Sequence, residues 1–288
     1  MLVRQIEDDC LISHCYNFYC QMKISFSLHF LLSLSIFYLI SCTNQAGKSI
    51  EKTSSIKRIA FTQENKNLEV FEKYAQKIND NKTLSKIQSL FYTDSDGTTT
   101  EAFAWIDQNM EVLKLQQIEN KATGKKVERV FYFLNGLKTM SRLIVYHYEL
   151  KKPYFSEERS YYSLTGAVIA TFSRYAASEE LELATLKKTD KRALNHQTSL
   201  AIIKRTGDFE TRFRGFDEAF GRKFIVLGTE KQTSTIAFNV ESPILKELIR
   251  AEKQQKNKLL DVQFSPITEP DGFTFQALVD LSFASTAP

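Results

Sequence analysis

From Thr99 onward the apolar positions recur at every second residue. Runs rich in Phe, Tyr, Val, Ile and Thr cover Glu101–Ile106, Glu111–Glu119, Lys126–Leu134, Leu137–Leu150, Arg159–Leu164 and Ala167–Tyr175. Between or just ahead of them stand Asp96-Gly97, Thr123-Gly124, Asn135-Gly136 and Thr165-Gly166, pairs that favour the positive φ of tight hairpin turns. Strand, short turn, strand, with no helix between, predicts an antiparallel meander of about six strands. Ahead of it, Leu68, Phe71, Ala75 and Ile78 recur at helical spacing with Glu69, Lys73, Gln76 and Lys77 between them. That is an amphipathic helix lying on something apolar, so the meander is expected to curl over it or partly close around it.

The pattern changes after Tyr175. Ala177–Leu186 is acidic and Leu-bearing without a clear period, and Ala193–Lys204 carries Leu194, Leu200, Ile202 and Ile203, a helix ending at Thr206-Gly207. Three strands are then predicted over Phe209–Phe216, Lys223–Thr229 and Thr233–Val240. Ser242-Pro243 supplies an N-cap and a proline at the first helical position. The helix that follows has Ile244, Leu245, Leu248 and Ile249 on one side and Lys246, Glu247, Arg250 and Lys253 opposite. Two strands close the chain, Lys258–Ile267 and Gly272–Phe283, about the turn Glu269-Pro270-Asp271-Gly272. In the last of them Phe273, Phe275, Ala277, Val279 and Leu281 alternate with Thr274, Gln276, Leu278, Asp280 and Ser282, which predicts one apolar face.

Three strands, a helix and two strands is an order that resembles the OB-fold, a five-stranded barrel. The resemblance rests on order and spacing over Asp208–Phe283, with an unclassified small barrel or α+β sandwich as the other reading. The expected class is therefore α+β, mostly antiparallel β: an N-terminal helix plus β-meander domain at 64–177, a connecting helical segment at 178–206, and an OB-like β-barrel domain at 207–284.

The amino-terminal pattern is of another kind. Met22-Lys23 opens an apolar run from Ile24 to Ile40 that ends Leu39-Ile40-Ser41-Cys42. A charged start, a hydrophobic stretch and a small residue before the cut define an export signal. The ending resembles the lipobox of bacterial lipoproteins, and the resemblance implies cleavage before Cys42 and acylation of that cysteine. The other reading is a single membrane-spanning anchor, but five of the 17 residues in Ile24–Ile40 are Ser or His. Three acyl chains, at about 0.8 kcal/mol per buried CH₂, hold a protein on a membrane without a spanning helix. Residues 1–21, with acidic Glu7, Asp8 and Asp9 ahead of the apolar run, read as lying upstream of the true start. The signal then covers 22–41, and the polar stretch 42–63 reads as a tether.

Composition adds limits. Of 288 residues, 43% are hydrophobic and 25% charged, an ordinary globular balance, with Lys+Arg 38 against Asp+Glu 34. The four cysteines, Cys10, Cys15, Cys20 and Cys42, all precede the folded part, which excludes a disulfide scaffold or a cysteine-ligated zinc module there. Removing 1–41 takes away two basic and three acidic residues, so the mature chain is slightly more positive.

No motif demands a catalytic reading. G-x-S-x-G, the P-loop, G-x-G-x-x-G and H-E-x-x-H are absent, and only His147 and His196 follow Cys42. His147-x-Glu149 places two ligand types on one strand face, too few for a metal site, so a solvated histidine is expected. Asp94-x-Asp96-Gly97 resembles the opening of a calcium loop but lacks a third oxygen ligand before its Gly, and a hairpin turn is expected instead. The neighbours Glu157-Glu158 and Glu179-Glu180 read as solvated surface. No cofactor and no metal are expected.

Two groups are candidates for binding. Tyr132, Tyr146, Tyr148, Tyr161 and Tyr162 crowd the meander, where they either pack the core or line a face for sugars, peptides or lipids. Arg212 and Arg214, with Arg205, Arg222 and Lys223 nearby, make a basic patch. On a barrel such a patch can hold a nucleic-acid strand. A lipidated, exported protein rarely meets cytoplasmic nucleic acid, so a solvated face or an anionic envelope partner is expected and nucleic acid is not. The whole then reads as a non-catalytic lipoprotein of the cell envelope, placed at the outer membrane. It is held by acylated Cys42 and binds or scaffolds an envelope protein, glycan or lipid. A carrier of a lipid or other hydrophobic ligand is the alternative, and a hydrolase a distant third. A meander followed by an OB-like barrel on a lipid anchor is also similar to envelope-stress lipoproteins of the copper-resistance type. Their Cys-x-x-Cys motif is missing here, so copper sensing does not carry over.

Overall fold

The computed structural model describes residues 68–148, 153–177 and 180–284. The expected signal, Cys42 and the tether lie outside them, as do Glu149 and Glu179. The first element is a helix, α1 (Glu69–Asp80), which buries Phe71, Tyr74, Ala75 and Ile78 along one stripe. Glu69 and Glu72 stand in its first turn and Lys77 in its last, the arrangement that suits the helix dipole.

Two short strands, β1 (Ser85–Gln88) and β2 (Tyr92–Asp94), both pair with β3 (Thr99–Ile106). From β3 the chain runs through β4 (Val112–Asn120), β5 (Lys125–Leu134), β6 (Leu137–His147), β7 (Tyr154–Tyr162) and β8 (Val168–Ala176), each antiparallel to the one before. This is the six-strand meander that the alternation predicts. The Asn135-Gly136 turn joins β5 to β6 with both residues at positive φ, 50° and 73°, the conformation that matches strand twist. At the β2–β3 turn the Asp94 carboxylate is taken up by the amides of Asp96 and Thr98, each at 2.9 Å. The strand β7 begins five residues earlier than the sequence pattern suggests, because Glu157-Glu158 interrupts the apolar alternation there.

After a short edge strand, β9 (Lys187–Thr189), and a helix, α2 (Gln197–Lys204), come β10 (Phe213–Ala219), β11 (Arg222–Gly228) and β12 (Gln232–Phe238). Helix α3 (Pro243–Arg250) follows, with Ser242 Oγ accepting the Leu245 amide at 3.3 Å as its cap. A single turn, α4 (Glu252–Gln255), leads to the hairpin β13 (Leu260–Thr268) and β14 (Thr274–Phe283).

The pairing of β12 changes along its length. Its start pairs with β2 (Gln232 opposite Asp94, Thr233 opposite Thr93), and its end runs parallel to β14 at Ala237 and Ala277. The start of β13 returns to β10 through an Arg212–Leu259 bridge, with Phe213 N donating to Lys258 O at 2.8 Å and Leu260 N to Thr211 O at 3.0 Å. The fold is thus mostly antiparallel β with few helices, a large open meander sheet that continues through β2 and β12 into the last third.

Four apolar clusters among the described residues hold it, the smallest of them Ile144, Phe155 and Leu181. The α1 stripe packs on Val130, Tyr132, Leu134, Met140, Tyr161 and Ala170 on one side of the meander. Full burial of a residue such as Phe71 or Ile78 contributes about 1.5–3 kcal/mol. On the other side Leu194, Leu200 and Ile203 cover Ala104, Leu115, Phe131 and Phe133. The largest cluster joins Leu90, Tyr92 and Ala102 to Phe213, Ile225, Leu227, Ile236, Leu245, Leu260 and Leu281. The Tyr92 hydroxyl donates to Phe209 O at 2.7 Å within it.

Candidate functional site

Strand alternation sets which residues of the last third meet solvent. On β11 Ile225 and Leu227 point into the core, so Phe224 points out; on β12 Ile236 is buried and Thr235 is exposed. Asp217 lies opposite Phe224 across the β10–β11 pair. The β10–β11 turn then places Phe220 at positive φ with 90% of its surface exposed. On the β13–β14 hairpin Phe273 and Phe275 stack with ring centres 6.1 Å apart. The Arg222 guanidinium sits 4.6 Å over Phe275 and is bonded to Glu269.

The sequence pattern expects Phe273, Phe275, Ala277, Val279 and Leu281 on one apolar face. The structure differs: Leu278 and Leu281 reach the core, whereas Phe273 and Val279 are exposed. A shift of register between Gln263 and Phe264 in the β13–β14 pair accompanies the broken alternation.

Facing these aromatics is the corner between β1 and β2. Gln276 is buried and clamps that corner: its Oε1 accepts the Phe91 amide at 2.9 Å and its Nε2 donates to Ser89 O at 3.1 Å. Phe91 is left 41% exposed beside Gln88 and Glu101. Between the two walls runs a groove of about 590 Å³, floored by Phe224 and Thr235. Among the described residues its charged lining consists of Glu101 and Asp217, with no Lys or Arg. Burial pushes the Glu101 carboxyl above the usual carboxylate range, against the hydrogen bond from Gln88 and the charges of Lys86 and Lys126.

A second polar cluster lies on the α1 side of the meander. Glu157, read from the sequence as surface, is fully buried, because strands β6 and β8 each aim an arginine at it. Arg142 Nε and Arg159 Nε donate to Oε1 at 2.6 Å, and Arg174 Nε donates to Oε2 at 2.5 Å. Glu72 of α1 bonds both Arg159, at 3.0 Å, and the Tyr161 hydroxyl, at 2.5 Å. Burial alone would raise the Glu157 carboxyl, but the hydrogen bonds and charges of Arg159 and Arg142 hold it below the usual range.

No family model, curated protein or solved structure matches the chain. The site is therefore read from its own geometry.

The tyrosines singled out in the sequence do not form one exposed surface. Tyr132, Tyr161 and Tyr162 are buried at 1%, 3% and 2%. Tyr132 exchanges hydrogen bonds with Asn79, and Tyr162, on the opposite face, bonds Ser141 and accepts the Leu194 amide. Tyr146 and Tyr148 stack on each other at the far end of β6, over Phe155, and of the five only Tyr148 is exposed.

The arginines bond local partners, and Arg212 and Arg214 meet on one of them, Asn257. Arg212 bonds Glu210 at 2.6 Å and Asn257 O at 3.1 Å, Arg214 bonds Asn257 Oδ1 at 2.9 Å, and Arg205 bonds Val262 O at 2.6 Å. His147 stacks on Tyr154 at 3.9 Å, and His196 lies against Phe131 and Phe133. Among the described residues no cluster of three His, Cys, Asp or Glu is set to hold a metal, and no helix is long and apolar enough to cross a membrane.

Sequence reasoning missed the groove. Its residues come from β1 to β14, so no window of the sequence contains it. The available signal was local: a phenylalanine at each of two Gly-bearing turns, Phe220-Gly221 and Gly272-Phe273, where a polar residue is usual.

Proposed function

We propose that this chain is a non-catalytic binding module of the cell envelope, anchored through acylated Cys42, and that the phenylalanine groove receives its partner. The observation that carries the reading is five phenylalanines, Phe91, Phe220, Phe224, Phe273 and Phe275, converging on one open groove, with Phe220 almost wholly solvent-exposed. Exposed aromatics gathered with a few polar groups are a recognition surface rather than a stability device.

We read β10–β14 with α3 as an OB-like barrel. In its favour are the antiparallel β10–β11–β12 run, the parallel β12–β14 contact, the β13–β14 hairpin and the return of β13 to β10. The groove then lies on the outer face of the second and third strands, between the first and last hairpin turns, which is where OB-folds take their ligands. Carboxylates in the groove disfavour phosphate-rich strands, so nucleic acid is not its ligand. The carrier reading gains less support: one side of the meander is occupied by α1 and by Glu157 with its arginines, the other by Leu194 and α2.

The test is a pull-down from the cell envelope, comparing the wild-type chain with Phe220→Ser/Phe273→Ser by quantitative mass spectrometry. Envelope species retained by the wild type and lost from the variant are expected. Identical profiles, with the variant correctly folded, would discard the groove as the binding site.

A further inference from the structure

Taking the groove to be the binding site, as proposed above, we infer that its occupant is an extended basic segment of a partner polypeptide, with Lys or Arg interleaved with apolar residues. Charge is the first ground. The chain as a whole is positive, +4, yet among the described residues the ionisable side chains lining the groove are the two carboxylates of Glu101 and Asp217. Cations stand at the margins of the groove: Lys86, 3.9 Å over the Phe103 ring, and Lys126 act on Glu101, and Arg222 is held by Phe275 and Glu269. Two carboxylates in a groove on a positive molecule select cationic segments locally instead of by bulk attraction.

The second ground is the aromatic lining. Phenylalanine rings offer no hydrogen-bond donor or acceptor, and their faces carry the negative end of a quadrupole. They therefore accept aliphatic stems and cationic heads of Lys and Arg, and they repel anions. Around the rings, Gln88, Thr235 and Thr274 supply the polar groups that peptide amides and carbonyls need. The third ground is Glu101 itself. Its burial outweighs the Gln88 hydrogen bond and the Lys86 and Lys126 charges, and an incoming ammonium or guanidinium adds compensation.

Fluorescence anisotropy of the full chain with labelled probe peptides tests this. One probe alternates Lys with Leu and Phe; two others replace every Lys by Ser or by Glu. The Lys probe is expected to bind, to weaken as salt is raised, and to lose about tenfold in affinity with Glu101→Gln/Asp217→Asn. Asp217→Asn alone, at an exposed position, reads the charge effect should the double variant fold poorly. Phe220→Ser/Phe273→Ser is expected to abolish binding. If the Ser probe binds as tightly as the Lys probe and only the Phe variants weaken it, the groove reading survives and the basic occupant is overturned. If the Lys probe fails to bind, or binds the Phe variants unchanged, the inference is equally overturned.

Discussion

Glu157 is a costly side chain to bury. A carboxylate with no exposed surface carries a desolvation penalty of several kcal/mol, and it is retained because Arg142, Arg159 and Arg174 converge on it from three strands. Removing one partner of such a cluster leaves charge uncompensated, so Glu157→Gln should cost about 3–5 kcal/mol of stability. The pH dependence has a definite sign. The folded carboxyl is held below its ordinary 4.5, so its contribution is complete above that value and is lost as pH falls through the folded value. His196, lowered from its ordinary 6.5 by burial and by Lys138, adds an earlier loss that begins as pH falls below 6.5. Urea midpoints followed from neutral pH to about pH 3 should show both losses in the wild type. Glu157→Gln should keep the earlier loss and flatten below 4.5; a variant curve parallel to the wild type throughout would refute the role given to Glu157.

Among the elements, the β1–β2 corner and the β13–β14 hairpin are held together by side chains that stand in for backbone. Ser89 Oγ accepts the Ala102 amide at 2.8 Å, so β1 and β2 can both pair with β3 while the chain between them turns. Gln276 then presents its amide to the corner as a strand would, bonding Phe91 N and Ser89 O. This contact sets the distance between the two walls of the groove. Gln276→Leu keeps the bulk but leaves the buried Ser89 C=O unpaired, at about 1–3 kcal/mol, and frees the part-buried Phe91 N–H. The expected sign in hydrogen exchange is faster exchange of the Phe91 amide, with Thr274→Ala, an exposed neighbour, as the unaffected comparison. Unchanged Phe91 protection in the Leu variant would remove Gln276 from this role.

At the scale of the molecule, the described residues belong to one compact unit, Ile59–Pro288, and strand β12 couples its parts. It pairs with β2 at one end and β14 at the other, and the largest core cluster draws Leu90, Tyr92 and Ala102 into contact with the last third. Shared hydrogen bonds and a shared core predict that the two halves unfold cooperatively. The single tryptophan, Trp105 on β3, reports on the meander, while far-UV circular dichroism reports on all strands. Their urea transitions should coincide. Two separated midpoints would mean that β12 does not couple the halves energetically.

Much of this was legible in the sequence because it depends on neighbours in the chain. The period-two runs and their Gly turns specified the meander, the i, i+3, i+4 stripe specified α1, and Ser242-Pro243 specified the start of α3. Local pattern cannot say which strands meet across long separations. Only the tertiary structure decided that β12 joins β2 to β14, that Glu157 is enclosed by arginines from neighbouring strands, and that Tyr132, Tyr161 and Tyr162 are core. The same holds for the groove. Phe91 and Gln276 stand 185 residues apart, and Gln276 meets the backbone of Phe91 only after both hairpins have packed. Alternation fixes which way a side chain leaves its strand; what it then meets depends on contacts that the chain makes only once it has folded.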